Sequence, residues 1–188
     1  MSWSQFCKLY EVPRKYLEAS HLTLKIPPDS RGKTYQEKAE TWLQEPFSLI
    51  LEGPPGRGKT HFMYSLIRGL LLKRQISDMR FFRSKQLDDR ILSELSSYGS
   101  SANIINAICE IEFLFLDDFG IETDSQRAER DYYDILDRRI SNERVTVLST
   151  NLDSKDISRC FGSRISSRLK ECVGIRFEGD DLRGRGYL

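Results

Sequence analysis

Eight consecutive residues carry the densest chemical signal in this chain. Gly53-Pro54-Pro55-Gly56-Arg57-Gly58-Lys59-Thr60 reads G-x-x-x-x-G-K-T, the spacing of a loop that cradles phosphates. The glycines Gly53, Gly56 and Gly58 let backbone N–H groups approach phosphate oxygens. Pro55 and Arg57 lie within the same loop. Lys59 is placed to reach β- and γ-phosphates, and Thr60 to offer a hydroxyl to Mg²⁺. An apolar run, Phe47-Ser48-Leu49-Ile50-Leu51, leads in, and Phe62, Met63, Leu66, Ile67, Leu70 and Leu71 recur at helical spacing on the way out. Strand, loop and helix in that order are the context the motif requires.

Further polar residues fall at the ends of other apolar runs. Ile111-Glu112-Phe113-Leu114-Phe115-Leu116 runs into Asp117-Asp118. Asp117 suits a magnesium ion, which takes few carboxylates beside phosphate oxygens, and Asp118 suits the base that orients a water. The same pair also suits a helix cap. Asn151 follows the run Val145 to Ser149 and is placed either to hold the attacking water or to serve as a turn or capping residue. Arg164 and Arg168 stand four apart, on one helix face, with Ile165 and Leu169 on the neighbouring face. Two presented guanidiniums suit an arginine finger acting on a neighbouring subunit's nucleotide, or are simply solvated. Arg183, in the glycine- and arginine-rich tail, either folds over the γ-phosphate or frays.

The elements that must position these groups alternate. Strands are predicted at 47–51, 79–82, 111–116, 144–149 and 173–177. Helices are predicted from Tyr35 to before Pro46, after the phosphate loop, on both sides of Gly99, over about 125–141, and on both sides of Gly162. That alternation predicts a five-stranded parallel sheet flanked by helices, with its site beyond the strand C-termini. Residues 1–32 read as an irregular arm, closed by a breaker cluster at 27–32. Tyr16, Leu17, Leu22 and Leu24 either cover a nucleotide base or plug the core.

With 188 residues, 39% hydrophobic and 30% charged, the chain suits one globular domain with a real core. A net charge of +1 excludes a strongly basic body, so nucleic acid would be met by a local patch. Cys7, Cys109, Cys160 and Cys172 have no C-x-x-C spacing, which argues against zinc or a disulfide framework. No apolar run approaches the ~18 residues of a membrane span, and no signal pattern opens the chain. The expected location is cytoplasmic.

Five motifs in order resemble the DnaC/DnaI/IstB branch of the AAA+ ATPases, the helicase loaders and transposition helpers. They are Val12-Pro13-Arg14-Lys15-Tyr16; the loop from Gly53 to His61 with its Lys-Thr-His ending; Phe115-Leu116-Asp117-Asp118-Phe119-Gly120-Ile121-Glu122; Leu148-Ser149-Thr150-Asn151-Leu152; and Phe161-Gly162-Ser163-Arg164-Ile165-Ser166-Ser167-Arg168-Leu169. The resemblance implies an α/β P-loop NTPase of AAA+ type, with an arm over 1–32 and an ATPase domain over 33–188; the short tail departs from the family, and little or no C-terminal lid is expected. It implies ATP and Mg²⁺ as cofactors, Lys59 and Thr60 as Walker A, Asp117 and Asp118 as Walker B, and Asn151 as sensor 1. Arg168 matches the arginine finger, with Arg164 beside it, and Arg183 the sensor 2 arginine.

The resemblance also implies self-association across ATP-bridged interfaces and a replicative helicase or a transposase as partner; Asp118, one methylene shorter than the usual Glu, holds the water poorly, so slow hydrolysis gated by assembly is expected. Single-stranded DNA would meet an initiator-type insertion over 84–110, where Arg83, Lys85 and Arg90 are basic and Asp88, Asp89 and Glu94 dilute the charge. Loaders of this branch carry an N-terminal helicase-gripping domain for which 1–32 is too short. Trp3, Phe6, Leu9 and Tyr10 stand there either as a partner-binding turn or as a core cap. A small-molecule kinase using the same loop, and a nucleotide-binding regulatory module with negligible turnover, are further alternatives.

Overall fold

The computed structural model describes residues 1–23, 26, 34–73, 78–120 and 126–183. The breaker cluster at 27–32, Leu24, the Ile121-Glu122 end of the aspartate motif and the tail beyond residue 183 lie outside the described residues. The chain divides into two compact units.

The first unit comprises Met1–Pro46, Gly53–Ser77 and Arg176–Leu188. It opens with a helix where an irregular arm was expected: α1, Trp3–Leu9. Its start is a capping box, in which the Ser2 hydroxyl accepts from the Gln5 N–H and the Gln5 side chain accepts from the Ser2 N–H. Ser-x-x-Gln before apolar residues was the visible signal for it. Phe6 is fully buried between Trp3, stacked at 5.6 Å, and Tyr10 at 4.5 Å. The Trp3 indole N–H donates to the Leu17 carbonyl at 2.8 Å. Trp3, Phe6 and Tyr10 therefore cap a core, and only Leu9 stays exposed.

Helix α2, Tyr35–Gln44, has a second capping box, Thr34 with Glu37. It buries Tyr35, Ala39, Trp42 and Leu43, the four residues whose spacing predicted it. It packs on α3, Lys59–Lys73. Helix α3 buries Phe62, Met63, Tyr64, Leu66, Ile67 and Leu70, apolar nearly all round, as a helix enclosed by protein must be. The Tyr35 ring stacks on Phe177 at 4.6 Å, and its hydroxyl donates to the Arg176 carbonyl at 2.8 Å.

The second unit comprises Phe47–Glu52 and Asp78–Ile175. Its sheet is built from β1 (Leu49–Glu52), β2 (Met79–Arg83), β3 (Phe113–Phe119), β4 (Val145–Thr150) and β5 (Val173–Arg176), in the order β2-β3-β4-β1-β5. This is the predicted five-stranded parallel sheet. Glu52 pairs with Thr150, and Thr150 with Phe119, so β1, β3 and β4 end level with one another. The expected end of β3 at Leu116 is overtaken: the strand runs through both aspartates to Phe119.

Among the described residues of this unit the helices are α4 (Ser84–Tyr98), α5 (Ala102–Glu110), α6 (Gln126–Ser141) and α7 (Ser154–Leu169). Leu87, Ile105, Tyr132, Leu136 and Ile165 from these helices share one apolar cluster with Leu114, Leu116 and Leu148 of the sheet. At Gly162, α7 breaks to φ 75°, ψ 170°, a backbone that glycine adopts without strain. There the Glu129 carboxylate lies where a side chain would begin.

Arg139 of α6 is fully buried. Its guanidinium donates to the carbonyls of Ile108, Ile111 and Val145 at 2.7 Å each and to Thr146 Oγ1 at 2.9 Å. A cation over the carbonyl end of α5 meets the negative end of that helix. Burial pulls its pKa down to about 10.

Candidate functional site

The phosphate loop starts directly after Glu52, the last residue of β1. Gly53 has φ 138°, and a Cβ there would strike the Phe177 carbonyl at 2.3 Å. No other residue fits that position. The loop passes into α3 at Lys59, which sets the helix N-terminus and its positive dipole end beneath the loop.

Lys59 is 95% buried, the exposed remainder being 5%. Its ammonium donates to the loop's own carbonyls, Gly53 O at 2.6 Å and Pro54 O at 2.8 Å. Arg57 Nε and Nη1 are buried and meet no hydrogen-bond partner among the described residues. A buried guanidinium edge without a partner is costly unless an anion meets it. The loop residues therefore fit a phosphate ligand.

His61 follows Thr60 in the first turn of α3. It is almost fully buried, and neither ring nitrogen meets a partner at hydrogen-bonding geometry among the described residues. Burial lowers its pKa below the ordinary imidazole value, offset in part by the nearby Ser20 backbone. Tyr16 of the arm packs edge-on against this imidazole at 6.3 Å and tilts on Tyr64 at 5.0 Å. Leu22 is 68% exposed, so it does not plug the core.

The tail closes on the same loop. The Leu182 N–H donates to the Gly56 carbonyl at 2.9 Å. The Asp181 carboxylate lies where a Gly56 side chain would begin and accepts from the Arg183 N–H at 2.8 Å. The Leu182 hydrogen bond thus sets the adjoining backbone of Arg183 beside the phosphate loop, and the Arg183 side chain is exposed.

In the second unit, the strand ends carry the acidic pair. Leu116 pairs with Leu148 and Phe119 with Thr150. Asp117 and Asp118 together face the single residue Ser149, which is a β-bulge. The bulge shifts the side-chain alternation by one. Phe119 consequently turns into the helix-side cluster, stacked on Phe161 at 4.7 Å and edge-on to Tyr132 at 5.3 Å. Asp118 takes φ 57°, a left-handed conformation that Asp accepts more readily than most residues.

Asp117 is 2% exposed. Its Oδ1 accepts from the Ser149 hydroxyl, and Ser149 Oγ in turn accepts from the Asp118 N–H at 3.0 Å. The Ser84 hydroxyl lies 3.4 Å from the Asp117 carbonyl, and the Tyr132 hydroxyl donates to Ser84 O at 2.9 Å. A buried, oriented carboxylate at a strand terminus is the hard oxygen donor that Mg²⁺ accepts.

Asn151 follows β4 immediately and is half-buried. It does not cap α7: Asp153 does, accepting from the N–H groups of Lys155 and Asp156 at 2.9 and 2.8 Å. Ile165 and Leu169 are buried, as predicted. The two arginines beside them differ. Arg168 pairs with Asp137 of α6 and with Glu171 at 2.9 Å. Arg164 is exposed and sits over the Tyr133 ring at 5.9 Å.

Of the candidate DNA-facing residues, Arg83, Lys85 and Arg90 are all exposed. Arg90 lies over the Phe82 ring at 5.6 Å. Asp88, expected to dilute that patch, is taken by Arg127 of α6, which also holds Asp131. Sequence reasoning passed over Ser149, Asp137 and Glu171. Ser149 and Asp137 act through pairings between separate elements, which no local pattern marks, whereas Glu171 stands three residues from Arg168, a spacing legible in the sequence.

The family profile of IstB-like ATP binding proteins matches residues 18–169. The replicative helicase loader DnaC of Escherichia coli (strain K12) is 25% identical over 159 residues, covering 83% of this chain and 63% of the loader. The ATP-binding protein of insertion sequence IS1162 from Pseudomonas fluorescens is 28% identical over 130 residues, covering 66% of this chain and 54% of that protein. The chain thus spans less than two thirds of each of these relatives. A crystal structure of the DnaC helicase loader superposes with a TM-score of 0.75 at 22% identity, covering 88% of this chain and all of that one (100%). Fold, loop and profile agree: the chain belongs to the family of IstB-like ATP binding proteins.

Proposed function

We propose that this chain is an AAA+ ATPase that helps to load or remodel a replicative helicase on DNA. The observation that carries the proposal is the joint presence of a phosphate loop with an unmatched Arg57 guanidinium and a bulged, buried Asp117-Asp118 pair. The match to a helicase loader across 83% of the chain supports it. The ATPase domain covers 33–188, behind an arm over 1–32.

In this reading Lys59 leaves the Gly53 and Pro54 carbonyls for the β- and γ-phosphates, and Arg57 gains the anion it lacks. Gly53, Pro55, Gly56 and Gly58 shape the backbone around the phosphates. His61 and Tyr16 border the base, and Arg183 reaches the γ-phosphate. Thr60 and Asp117 would hold Mg²⁺, which neutralises charge developing on the phosphate oxygens. Asp118 takes a proton from the attacking water, and Asn151 orients that water. Arg168 of a neighbouring subunit, flanked by Arg164, stabilises charge on the transferred phosphoryl group. Turnover is slow and rises on assembly and on DNA.

Co-elution with a hexameric replicative helicase, with and without ATP, tests the proposal. A second reading has its own support in the IS1162 relative: a helper that presents target DNA to a transposase. ATP-dependent filaments on duplex DNA without helicase binding would favour it.

A further inference from the structure

Two residues of β3 face one residue of β4, and that one residue is a serine. Ser149 is fully buried. A hydroxyl has one proton to give and lone pairs to receive. Here both capacities are spent on the acidic pair: the proton goes to Asp117 Oδ1, and a lone pair takes the Asp118 N–H at 3.0 Å. Neither alanine nor valine, the ordinary occupants of a buried strand position, can do either.

We infer that Ser149 is a positioning residue for the magnesium-nucleotide site. By donating to Oδ1 of Asp117 it fixes the rotation of that carboxylate. By accepting the Asp118 N–H it satisfies the amide that the bulge removes from the strand ladder, and so holds Asp118 at φ 57°. One side chain therefore holds the Asp117 carboxylate and the Asp118 backbone together. The partner that orients a metal-directed carboxylate typically affects affinity by about 10–100-fold. The inference rests on the reading that Asp117 faces Mg²⁺.

The test is a Mg²⁺ titration of the binding of a fluorescent ATP analogue to the whole chain, beginning in EDTA. Ser149→Ala and Ser149→Cys should need about 10–100-fold more Mg²⁺ to reach half-maximal tightening, with affinity in EDTA as in the parent. Ser149→Thr, which keeps the hydroxyl, should restore the parental midpoint. The cysteine variant preserves volume and suits burial, so it serves should the alanine variant fail to fold.

A parental Mg²⁺ midpoint in Ser149→Ala or Ser149→Cys, alongside a lowered melting temperature, would reduce Ser149 to a structural role and overturn the inference. Asp117→Asn separates the two layers. If it loses the Mg²⁺ response while the Ser149 variants keep it, only the inference fails. If the parent itself shows no Mg²⁺ response, the reading of Asp117 fails and the inference with it.

Discussion

Arg168 of α7 is ion-paired with Asp137 of α6 inside its own chain. A second carboxylate, Glu171, holds it from the other side at 2.9 Å. The arginine assigned to a neighbour's nucleotide is therefore engaged in cis. The pair is partly exposed, and water screens such pairs strongly, so assembly can readily displace it. Asp137→Asn should leave the melting temperature within a few degrees of the parent and lower the protein concentration at which ATPase activity rises. Arg168→Ala should cut that assembled activity by about 10³-fold or more, with nucleotide binding by the isolated chain unchanged. Initial ATPase rates across a protein dilution series read both effects.

Lys59 sits in the phosphate loop with two carbonyl partners of its own. Lys59→Ala leaves those two carbonyls without this donor and should melt lower than the parent, yet still fold and lose nucleotide-dependent assembly. Light scattering with and without an ATP analogue checks this. Assembly that persists in the variant would disconnect the loop from self-association.

Asp118 illustrates how backbone and chemistry select one residue type. At φ 57° Asp and Asn are tolerated, whereas most residues lose roughly 1–2 kcal/mol. Asp118→Asn should match the parent in thermal stability and abolish hydrolysis. Asp118→Glu, although it keeps the carboxylate, should melt a few degrees lower. Differential scanning fluorimetry paired with phosphate release separates the two variants.

Arg139 makes its case in stability alone. Replacing it by Met leaves the carbonyls of Ile108, Ile111 and Val145 without their donor, at about 3 kcal/mol in total. For a chain of this size that lowers the melting temperature by about 6–12 °C. A thermal melt is sufficient.

His61 gives a pH signature. Its folded pKa lies below the ordinary imidazole value because it is buried. The unfolded chain thus binds the proton more readily than the folded one. Stability is fully present above the unfolded value, about 6.5, and is lost as pH falls from there through the folded pKa. Melting temperatures between pH 7.5 and 5 should fall more steeply for the parent than for His61→Gln.

Much of this was legible before any fold was known. The loop from Gly53 to Thr60 and the strand ends at Asp117 and Asn151 are local patterns, and their spacing predicted the elements that hold them. The α2 set Tyr35, Ala39, Trp42 and Leu43 was read directly from helical periodicity. What escaped is non-local. The bulge at Asp117-Asp118 exists only relative to Ser149 on another strand. The engagement of Arg168 depends on Asp137, a residue of a different helix. Helix α1 is the opposite case: its Ser2 and Gln5 box was visible, but the segment is short and its apolar residues read equally well as a turn. Asn151 and Asp153 both suit a helix start, and only the hydrogen bonds from Lys155 and Asp156 assign the cap to Asp153.

The central claim is that ATP on the Gly53 to Thr60 loop governs association with a replicative helicase. The direct measurement is analytical size-exclusion of the chain mixed with a hexameric replicative helicase, with ATP, without ATP, and with Lys59→Ala in place of the parent. The account predicts a co-eluting complex whose amount changes with ATP for the parent and does not change for Lys59→Ala. Separate elution of the two proteins under every condition would contradict it.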